Sequence, residues 1–326
     1  MVVNGERLLI TGCSGFIGRA LAVGCASAGY RVGGVVRNHA RASDLPPEVE
    51  PVVVPDAGPQ ADWSDALAGV KAVVHLAGHV HQDHLGAGAE HYRVNLAGTA
   101  VLARAAAEAG VRRLLFLSTI KVHGEGKEGP YAESHPCQPH DDYAISKCEA
   151  EKVLRAISAN GALQTTILRP PLVYGPGVKA NFLRLIRLVE HGVLFPFGSI
   201  DNRRSLIYVG NLVDAILTAL RHPNATGNTF LVADPEPVST PELIREIAAQ
   251  LGIPSRLMRF PVSFLKLAGR LVGRSAQVER LTGSLWADTR EIQARLGWRP
   301  RVSFDQGLAE TVAWYRNRTS AEHAHD

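Results

Sequence analysis

The sequence predicts an α/β fold in which a doubly wound parallel sheet is joined to a smaller C-terminal domain. Short β-branched or leucine-rich runs alternate with alanine-rich helical stretches through the first half of the chain, as in a parallel sheet covered by helices on both faces. The loop TGCSGFIG lies between the first such run and the first helical stretch, where glycines let a backbone approach a dinucleotide. After TTILRPPLVYGPG the alternation stops, which indicates the second domain.

The elements follow in chain order. Strands are predicted at RLLIT, RVGGVV, EPVVVP, AVVHLAG and RLLFLST, and a helix from Asn95 to Ala109. Pro170 and Pro171 interrupt regular structure. Further helices are predicted from Asn181 to Glu190 and from Pro241 to Leu251.

The two domains are expected to interleave, because 203–220 has the pattern of a strand and a helix that return to the main sheet. The expected division is a nucleotide-binding domain over 1–168 plus about 203–222, a substrate-binding domain over 169–202 plus 223–318, and a disordered tail, TSAEHAHD, over 319–326.

Composition narrows the class of protein. The chain has 326 residues, of which 46% are hydrophobic and 20% charged, with a formal charge of +4. The arginines are scattered rather than grouped with aromatic residues, so nucleic acid is not expected as a partner and a small anionic substrate fits better. No apolar stretch reaches about 18 residues without a charge, and no signal peptide is apparent. We therefore expect a cytoplasmic protein without a membrane span.

The four cysteines predict free thiols. Cys13, Cys25, Cys137 and Cys148 have no C-x-x-C spacing, and Cys13 lies within the glycine loop. Three nearby histidines, at 79, 81 and 84, suggest a metal, but no carboxylate or cysteine frame completes such a site. No metal is expected, and a solvated loop is the preferred interpretation.

The pair Tyr143 and Lys147 has the spacing Y-x-x-x-K. On a helix this places a phenol and an ammonium on one face, so that the positive charge would lower the pKa of the tyrosine. Such a tyrosine can take or give a hydroxyl proton during hydride transfer to or from a nicotinamide. The spacing also occurs by chance on ordinary amphipathic helices. The order of the surrounding motifs is therefore needed to distinguish a catalytic pair from a chance one.

That order resembles the extended short-chain dehydrogenase/reductase family, a group with the Rossmann fold. The glycine loop, HLAG, VNLAGT, FLSTIKVHG, the Y-x-x-x-K pair and LRPPLVYGPG occur in the same sequence along nearly the whole chain. The resemblance implies that Thr119 hydrogen-bonds the reacting oxygen, Tyr143 is the acid and base, and Lys147 holds the nicotinamide ribose. It also implies a homodimer through the helices beginning near Asn95 and Tyr143, although an alanine-rich helix face can equally be buried within one chain.

The cofactor contacts come partly from the glycine spacing and partly from the resemblance. Gly12, Gly15 and Gly18 allow the tight turn, the approach of a pyrophosphate and close helix packing. The resemblance extends the set to Ser14, Phe16, Ile17, Asp56, Ala57, Leu76, Ala77, Gly78, Asn95, Ser118 and Pro170. Asp56 would contact adenine, with helix capping as its alternative role.

The choice of nicotinamide cofactor depends on Arg37. A carboxylate at the end of the second strand would bind the free ribose hydroxyl of NAD, whereas a guanidinium would pair with the 2′-phosphate of NADP. Arg37 has that place in GVVRNHAR. NADP(H) is therefore favoured, NAD(H) remains possible, and the alternative is that Arg37 is a solvated turn residue.

The second half resembles enzymes that act on nucleotide-diphosphate sugars. Arg204 matches an arginine placed against the diphosphate, Asn181 a residue bracing the nucleotide, and Phe197 an aromatic stacked on the base. Arg280 is a candidate for a second phosphate contact, or else a surface charge. Leu285 stands where the 4-epimerases often have a tyrosine or a small residue.

The subtype is predicted from the catalytic hydroxyl onward. The 4,6-dehydratases have T-D-E there, whereas this chain has T-I-K with Ile120 and Lys121, which leaves hydride transfer at C4. The phrases FPFGSIDNRRSLIYVGNLVDAI and ERLTGSL favour a UDP-4-keto-6-deoxy-N-acetylhexosamine 4-reductase, and a UDP-sugar 4-epimerase is the alternative. A non-catalytic, NADP-sensing module is a second alternative. UDP or dTDP, the product stereochemistry and the role of His123 remain open.

Overall fold

A seven-stranded parallel sheet organises the chain in the computed structural model, which describes residues 5–79, 87–126, 129–161 and 163–323. Its strands are β1 (Arg7–Thr11), β2 (Arg31–Val36), β3 (Glu50–Val53), β4 (Val70–His75), β5 (Arg113–Leu117), β6 (Gln164–Arg169) and β9 (Thr229–Leu231), and the short strands β7 (Leu172–Tyr174) and β8 (Leu206–Tyr208) form a second sheet. The spatial order β3-β2-β1-β4-β5-β6-β9 winds outward from β1 in both directions. The predicted doubly wound fold is confirmed.

Some helices cover the two faces of the main sheet, and others build the second part of the protein. They are α1 (Phe16–Ser27), α2 (Ala87–Glu90), a π-helix (His91–Gly98), α3 (Thr99–Glu108), α4 (Asp142–Ala159), α5 (Ala180–Glu190), α6 (Val209–Arg221), α7 (Thr240–Leu251), α8 (Val262–Leu271), α9 (Ser275–Thr282), α10 (Arg290–Leu296) and α11 (Phe304–His323). Alternate residues of β1 point to opposite faces: Leu8 and Ile10 join the core under α1 and α6, while Leu9 joins the core under α3 and α4.

The second part of the protein has its own hydrophobic core. It is built from α5, α7 and α11 together with β7 and β8. The buried ring of Tyr174 stacks on Phe182 with 5.6 Å between ring centroids, and its hydroxyl donates a hydrogen bond to buried Asp234 at 3.0 Å. This core follows Pro170 and Pro171, where the sequence predicts that the alternation ends.

Three sequence predictions differ from the structure. The strand predicted within 203–220 pairs with β7 in the small sheet rather than returning to the main sheet. Conversely β9, within the range assigned to the substrate domain, is the seventh strand of the main sheet, paired in parallel with β6. These strands are only three residues long, so their periodicity cannot identify a partner. The last helix continues to His323, across the first part of the predicted tail.

A buried carboxylate fastens α4 to the main sheet. Glu151 accepts hydrogen bonds from Arg169 Nε at 2.9 Å, from Arg169 Nη2 at 2.5 Å and from Ser118 Oγ at 2.5 Å. Both side chains of the Glu151–Arg169 pair are almost completely buried. Burial alone would raise the pKa of Glu151, but the hydrogen bonds and charge of Arg169 outweigh that effect and hold the pKa below its ordinary value.

Replacing this carboxylate tests its contribution to stability. Glu151→Gln leaves the guanidinium of Arg169 buried without a counter-charge, so we expect the free energy of unfolding to fall by about 3 kcal/mol or more. Urea denaturation followed by circular dichroism measures the loss. Glu149→Gln is the matched control, because Glu149 forms only an exposed pair with Lys152, and its cost should be about 0.5 kcal/mol or less. Equal stabilities for the two variants would contradict the assignment.

Candidate active site

The glycine loop after β1 is shaped by contacts that leave no room for side chains. Gly12 has a φ of +72°, and a Cβ there would lie 2.9 Å from the backbone nitrogen of Ala77. A Cβ on Gly18 would lie 2.1 Å from the carbonyl oxygen of Gly12. The loop therefore brings β1, the start of α1 and the end of β4 together as a dinucleotide-binding loop requires.

The first turn of α1 fits an anionic ligand. Gly15 precedes the helix, no side chain caps its N-terminus, and the first turn contains no acidic residue. The exposed N–H groups and the positive end of the helix dipole favour a phosphate. Ser14, Phe16 and Ile17 lie at this same turn, and their contact with a cofactor stays a prediction.

The ends of β2 and β3 hold the next two predicted contacts. Arg37 is exposed immediately after β2. Asp56 follows β3 and accepts two hydrogen bonds from Arg93 Nη1, at 2.8 and 3.0 Å, and these hydrogen bonds lower its pKa. Asp56 therefore does not cap a helix, and its carboxylate is bound by Arg93 instead. A Cβ on Gly98 would lie 2.0 Å from the carbonyl oxygen of Ala57, so the backbones of these two residues are in close contact.

After β4 the chain passes Leu76, Ala77 and Gly78 and meets the π-helix at Asn95. Buried Asn95 accepts a hydrogen bond from the backbone N–H of His79 at 2.7 Å and donates one to Ser146 Oγ at 3.0 Å. π-Helices are rare, and such segments are frequent at functional sites. The helix predicted from Asn95 is therefore irregular at its first turns.

The three predicted catalytic residues lie at the ends of β5 and the start of α4. Thr119 precedes a short 3₁₀ helix (Ile120–His123), and its Oγ1 accepts the N–H of Lys121 at 3.3 Å. Lys147 donates to the carbonyl of Leu117 at 2.9 Å and lies 4.3 Å from the ring centroid of Phe116. Ser118 donates to Glu151, and the carbonyl of Pro170 accepts the N–H of Ile120 at 2.9 Å.

The pKa of Tyr143 differs from the sequence prediction. Burial raises the pKa of Tyr143, and the carboxylate of Asp141 raises it further. Burial lowers the pKa of Lys147 to about 7, an effect that Glu151 partly opposes. The protein's own groups therefore raise the pKa of Tyr143, where the sequence predicts a lowering by Lys147, and Lys147 is itself desolvated and donates a hydrogen bond to Leu117.

A cluster of charges surrounds Asp141, the residue that caps α4. Its carboxylate accepts the N–H of Ala144 at 2.8 Å and a hydrogen bond from Lys121 at 3.1 Å, and Arg280 lies 3.6 Å away. Lys121, which replaces a dehydratase carboxylate in the predicted motif, is thus paired with an acid close to Tyr143. Arg280, on α9, is a member of this cluster rather than an isolated surface charge.

The other predicted substrate residues occupy three places. Arg204 donates to the carbonyls of Arg280 at 2.8 Å and Gly283 at 2.9 Å, with Glu125 at 3.6 Å. Asn181 is exposed at the first turn of α5, and Phe197 packs on Phe195 with centroids 5.7 Å apart. Contact of these side chains with a substrate stays a prediction. Leu285 is buried in a small cluster with Ile120, beside the residue that follows Thr119.

Two histidines near the site, His75 and His123, make contacts that the sequence did not predict. Buried His75 bonds Thr11 at 2.6 Å and Thr99 at 2.9 Å, and burial lowers its pKa to about 3. His123 contacts Arg169 at 2.9 Å and stacks on Tyr131. The sequence signals for these contacts were His75 at the end of an apolar strand and Arg169 at the end of the run TTILR.

Of the three histidines predicted to lie in a solvated loop, His79 alone lies within the described residues. His79 lies 5.0 Å from His91 between ring centroids, whereas positions 81 and 84 lie outside the described residues. Within the described ranges, no three histidine, cysteine or acidic side chains come together as metal ligands, and the four cysteines are free thiols. No helix in the same ranges combines the length and apolar character needed to cross a membrane.

Comparison with known proteins gives one family. Residues 8–233 match the model of the NAD dependent epimerase/dehydratase family. A UDP-glucose 4-epimerase of Vibrio cholerae is 42% identical over 315 residues, covering 94% of each chain.

Two solved structures extend the likeness to the whole fold. MoeE5 in complex with UDP-glucuronic acid and NAD superimposes with a TM-score of 0.79 at 26% identity, covering 96% of this chain and 100% of that one. DesIV, a dTDP-glucose 4,6-dehydratase from Streptomyces venezuelae with NAD and TYD bound, gives a TM-score of 0.78 at 28% identity, with 97% and 98% coverage. Both neighbours bind NAD, so the comparisons give no support for a preference for NADP.

The electrostatic role of Asp141 can be measured on the protein itself. Asp141→Asn keeps a helix-capping oxygen but removes the negative charge that disfavours the phenolate, so the pKa of Tyr143 should fall. Ultraviolet difference titration against Tyr143→Phe, over the alkaline range in which the fold persists, would place the midpoint at lower pH. Asp142→Asn removes the same charge from the neighbouring exposed residue and should leave the midpoint in place. An unchanged midpoint in both would exclude the assigned cause.

Proposed function

The chain belongs to the NAD dependent epimerase/dehydratase family, and from this membership we propose that it is a UDP-sugar 4-epimerase working with NAD(H). The observation that carries the proposal is the 42% identity, across 94% of both chains, with a protein named UDP-glucose 4-epimerase. This reverses the preference drawn from the sequence, in which a 4-ketoreductase came first and the epimerase second.

The residues after Thr119 support chemistry at a single sugar carbon. Elimination of water requires an additional acid and base, but here Ile120 is buried in an apolar cluster and Lys121 is paired with Asp141. The chain therefore provides no acidic pair at this place, and dehydration is not proposed despite the structural likeness to a dehydratase.

The roles of the side chains follow from their positions. When bound, a nicotinamide would supply hydride acceptance and donation, and the glycine loop, Gly78, Asn95 and Lys147 are the residues that would hold it. Tyr143 Oη would take the proton of the sugar hydroxyl as a carbonyl forms and would return it to the oxygen afterwards. Thr119 Oγ1 would orient that oxygen by a hydrogen bond. Buried Lys147 would stabilise the phenolate of Tyr143 whenever its amine carries a proton.

A 4-ketoreductase is the second candidate, and Arg37 is the observation that favours it. An exposed guanidinium directly after β2 suits the 2′-phosphate of an exchangeable NADPH. The neighbours MoeE5 and DesIV contain NAD, which weighs toward the first candidate.

The two candidates differ in their net reaction. Purified protein would be incubated with UDP-glucose or UDP-galactose without added reductant, and separately with NADPH or NADH and UDP-4-keto-6-deoxy-N-acetylglucosamine. An epimerase interconverts the first pair with no net oxidation of cofactor. Stoichiometric oxidation of NADPH by the keto sugar, without epimerisation, would replace the first proposal by the second.

The acid and base can be tested in either reaction. Tyr143→Phe removes the only proton-transferring oxygen proposed at C4, so kcat should fall by a factor of about 10² to 10⁴. Calorimetric binding of UDP-sugar should remain, since the ring is preserved. Tyr92→Phe removes an exposed phenol and should retain full activity. Normal turnover by Tyr143→Phe would remove this residue from the mechanism.

The role of Arg37 is a separate prediction. Arg37→Ser should leave NAD(H) binding unchanged and weaken NADP(H) binding about tenfold or more if the guanidinium pairs with a phosphate. Fluorescence titration with both cofactors measures the ratio. Arg41→Ser is the control, because Arg41 already pairs with Asp44 at 3.1 Å. The same NADP(H) affinity in wild type and Arg37→Ser would make Arg37 a solvated turn residue.

A further inference from the structure

Exposed apolar side chains concentrate in one segment of the second domain, residues 258–281. Of the eleven large hydrophobic side chains exposed among the described residues, this segment contains six, namely Met258, Phe264, Leu267, Leu271, Val272 and Leu281. Single exposed apolar residues are ordinary on protein surfaces, whereas a cluster indicates a surface that meets something apolar.

Helix α8 presents the centre of this cluster as a continuous stripe. Phe264, Leu267 and Leu271 stand at positions i, i+3 and i+7, which share one face of a helix, and they are 58%, 51% and 79% exposed. Gly269 lies on the buried side of the helix, where a Cβ would come within 2.6 Å of the side chain of Val278 on α9. The helix therefore packs on α9 by its small residue and turns its large apolar residues outward.

The sequence that contains the stripe is basic, and its first acidic residue after α8 is Glu279 on α9. Between residues 252 and 278 the chain has no acidic residue, and its charged residues are Arg256, Arg259, Lys266, Arg270 and Arg274. All five are exposed, and none has an ion-pair partner among the carboxylates of the described residues. An apolar face bordered by unpaired cations is the pattern of a helix that lies in the interface of a membrane with anionic lipids.

We propose that α8, with the turn that follows it to Arg274, is a docking surface for the anionic phospholipid surface of a membrane. The apolar stripe would enter the boundary between headgroups and acyl chains, and the cations would pair with lipid phosphates. A second copy of the chain is a poorer occupant, because self-association would bring two sets of five like charges together. The homodimer expected from the sequence uses other helices, those beginning near Asn95 and Tyr143.

This surface is close to the candidate active site without being part of it. Helix α9 follows α8 after Gly273 and is about 12 Å long at its eight residues. Near its end Arg280 approaches Asp141 at 3.6 Å. Docking through α8 would therefore hold the charged edge of the site close to the lipid headgroups. The inference does not depend on which sugar reaction the site performs.

Vesicle flotation of the full-length protein tests the proposal. We expect binding to vesicles of equal parts phosphatidylcholine and phosphatidylglycerol, at least about tenfold weaker binding to pure phosphatidylcholine, and weaker binding as salt rises. The double variant Leu267→Ser with Leu271→Ser should bind the anionic vesicles more weakly than the wild type, by about tenfold or more. Lys266→Gln with Arg270→Gln should bind the anionic vesicles about tenfold more weakly and with a smaller salt dependence, since three of the five cations remain.

Controls separate this surface from loss of folding and from catalysis. Val23→Ser changes an exposed apolar residue on α1 and should bind vesicles as wild type does. Circular dichroism and turnover of soluble UDP-sugar should be unchanged in all these variants, since none alters a residue of the candidate site. Absence of wild-type binding to the anionic vesicles would overturn the proposal. Vesicle binding as strong as that of the wild type by the leucine double variant would also overturn it. The same holds if that variant forms a smaller oligomer but still binds vesicles as the wild type does.

Discussion

The buried pair of Glu151 and Arg169 is the constraint on which the geometry of the site depends. Glu151 lies four residues after Lys147 on α4, and Arg169 ends β6, so their hydrogen bonds fix the depth and rotation of α4 against the sheet. The same carboxylate accepts from Ser118, the residue before Thr119. One buried acid therefore sets the distance between the loop that carries Thr119 and the helix that carries Tyr143 and Lys147.

Burial dominates the electrostatics of this region. It raises the pKa of Tyr143 and lowers those of Lys147 and His75, which in each case favours the neutral form. Asp141 adds a negative charge on the side of the phenol. The protein's own groups thus favour the protonated phenol, and a positive charge close to it, from the protonated amine of Lys147 or from a ligand, would lower the pKa of Tyr143. Binding of a positively charged ligand would in this way be coupled to loss of the proton from Tyr143.

Local patterns explain how much could be predicted from the sequence. The first five strands, the glycine turn and the pairing of Tyr143 with Lys147 on one helix depend on short-range periodicity and steric rules, which one chain segment contains by itself. The partners of β8 and β9 depend on contacts across the fold, and three residues carry too little pattern to specify them. The raised pKa of Tyr143 could not be predicted for a related reason, because spacing predicts proximity to Lys147 but not the desolvation of both groups. Arg37 lies where predicted, yet exposure alone does not select a cofactor.

The replacement of an acidic pair by Ile120 and Lys121 restricts the chemistry more than it changes the shape. Ile120 extends the apolar cluster that contains Leu285, and Lys121 is held by Asp141, so neither provides a second base beside Thr119. In its proposed role, Tyr143 would take and return a proton at one oxygen, and Ile120 and Lys121 add no acidic pair for a second carbon. This arrangement fits the proposed reaction, in which hydride and proton are exchanged at one carbon.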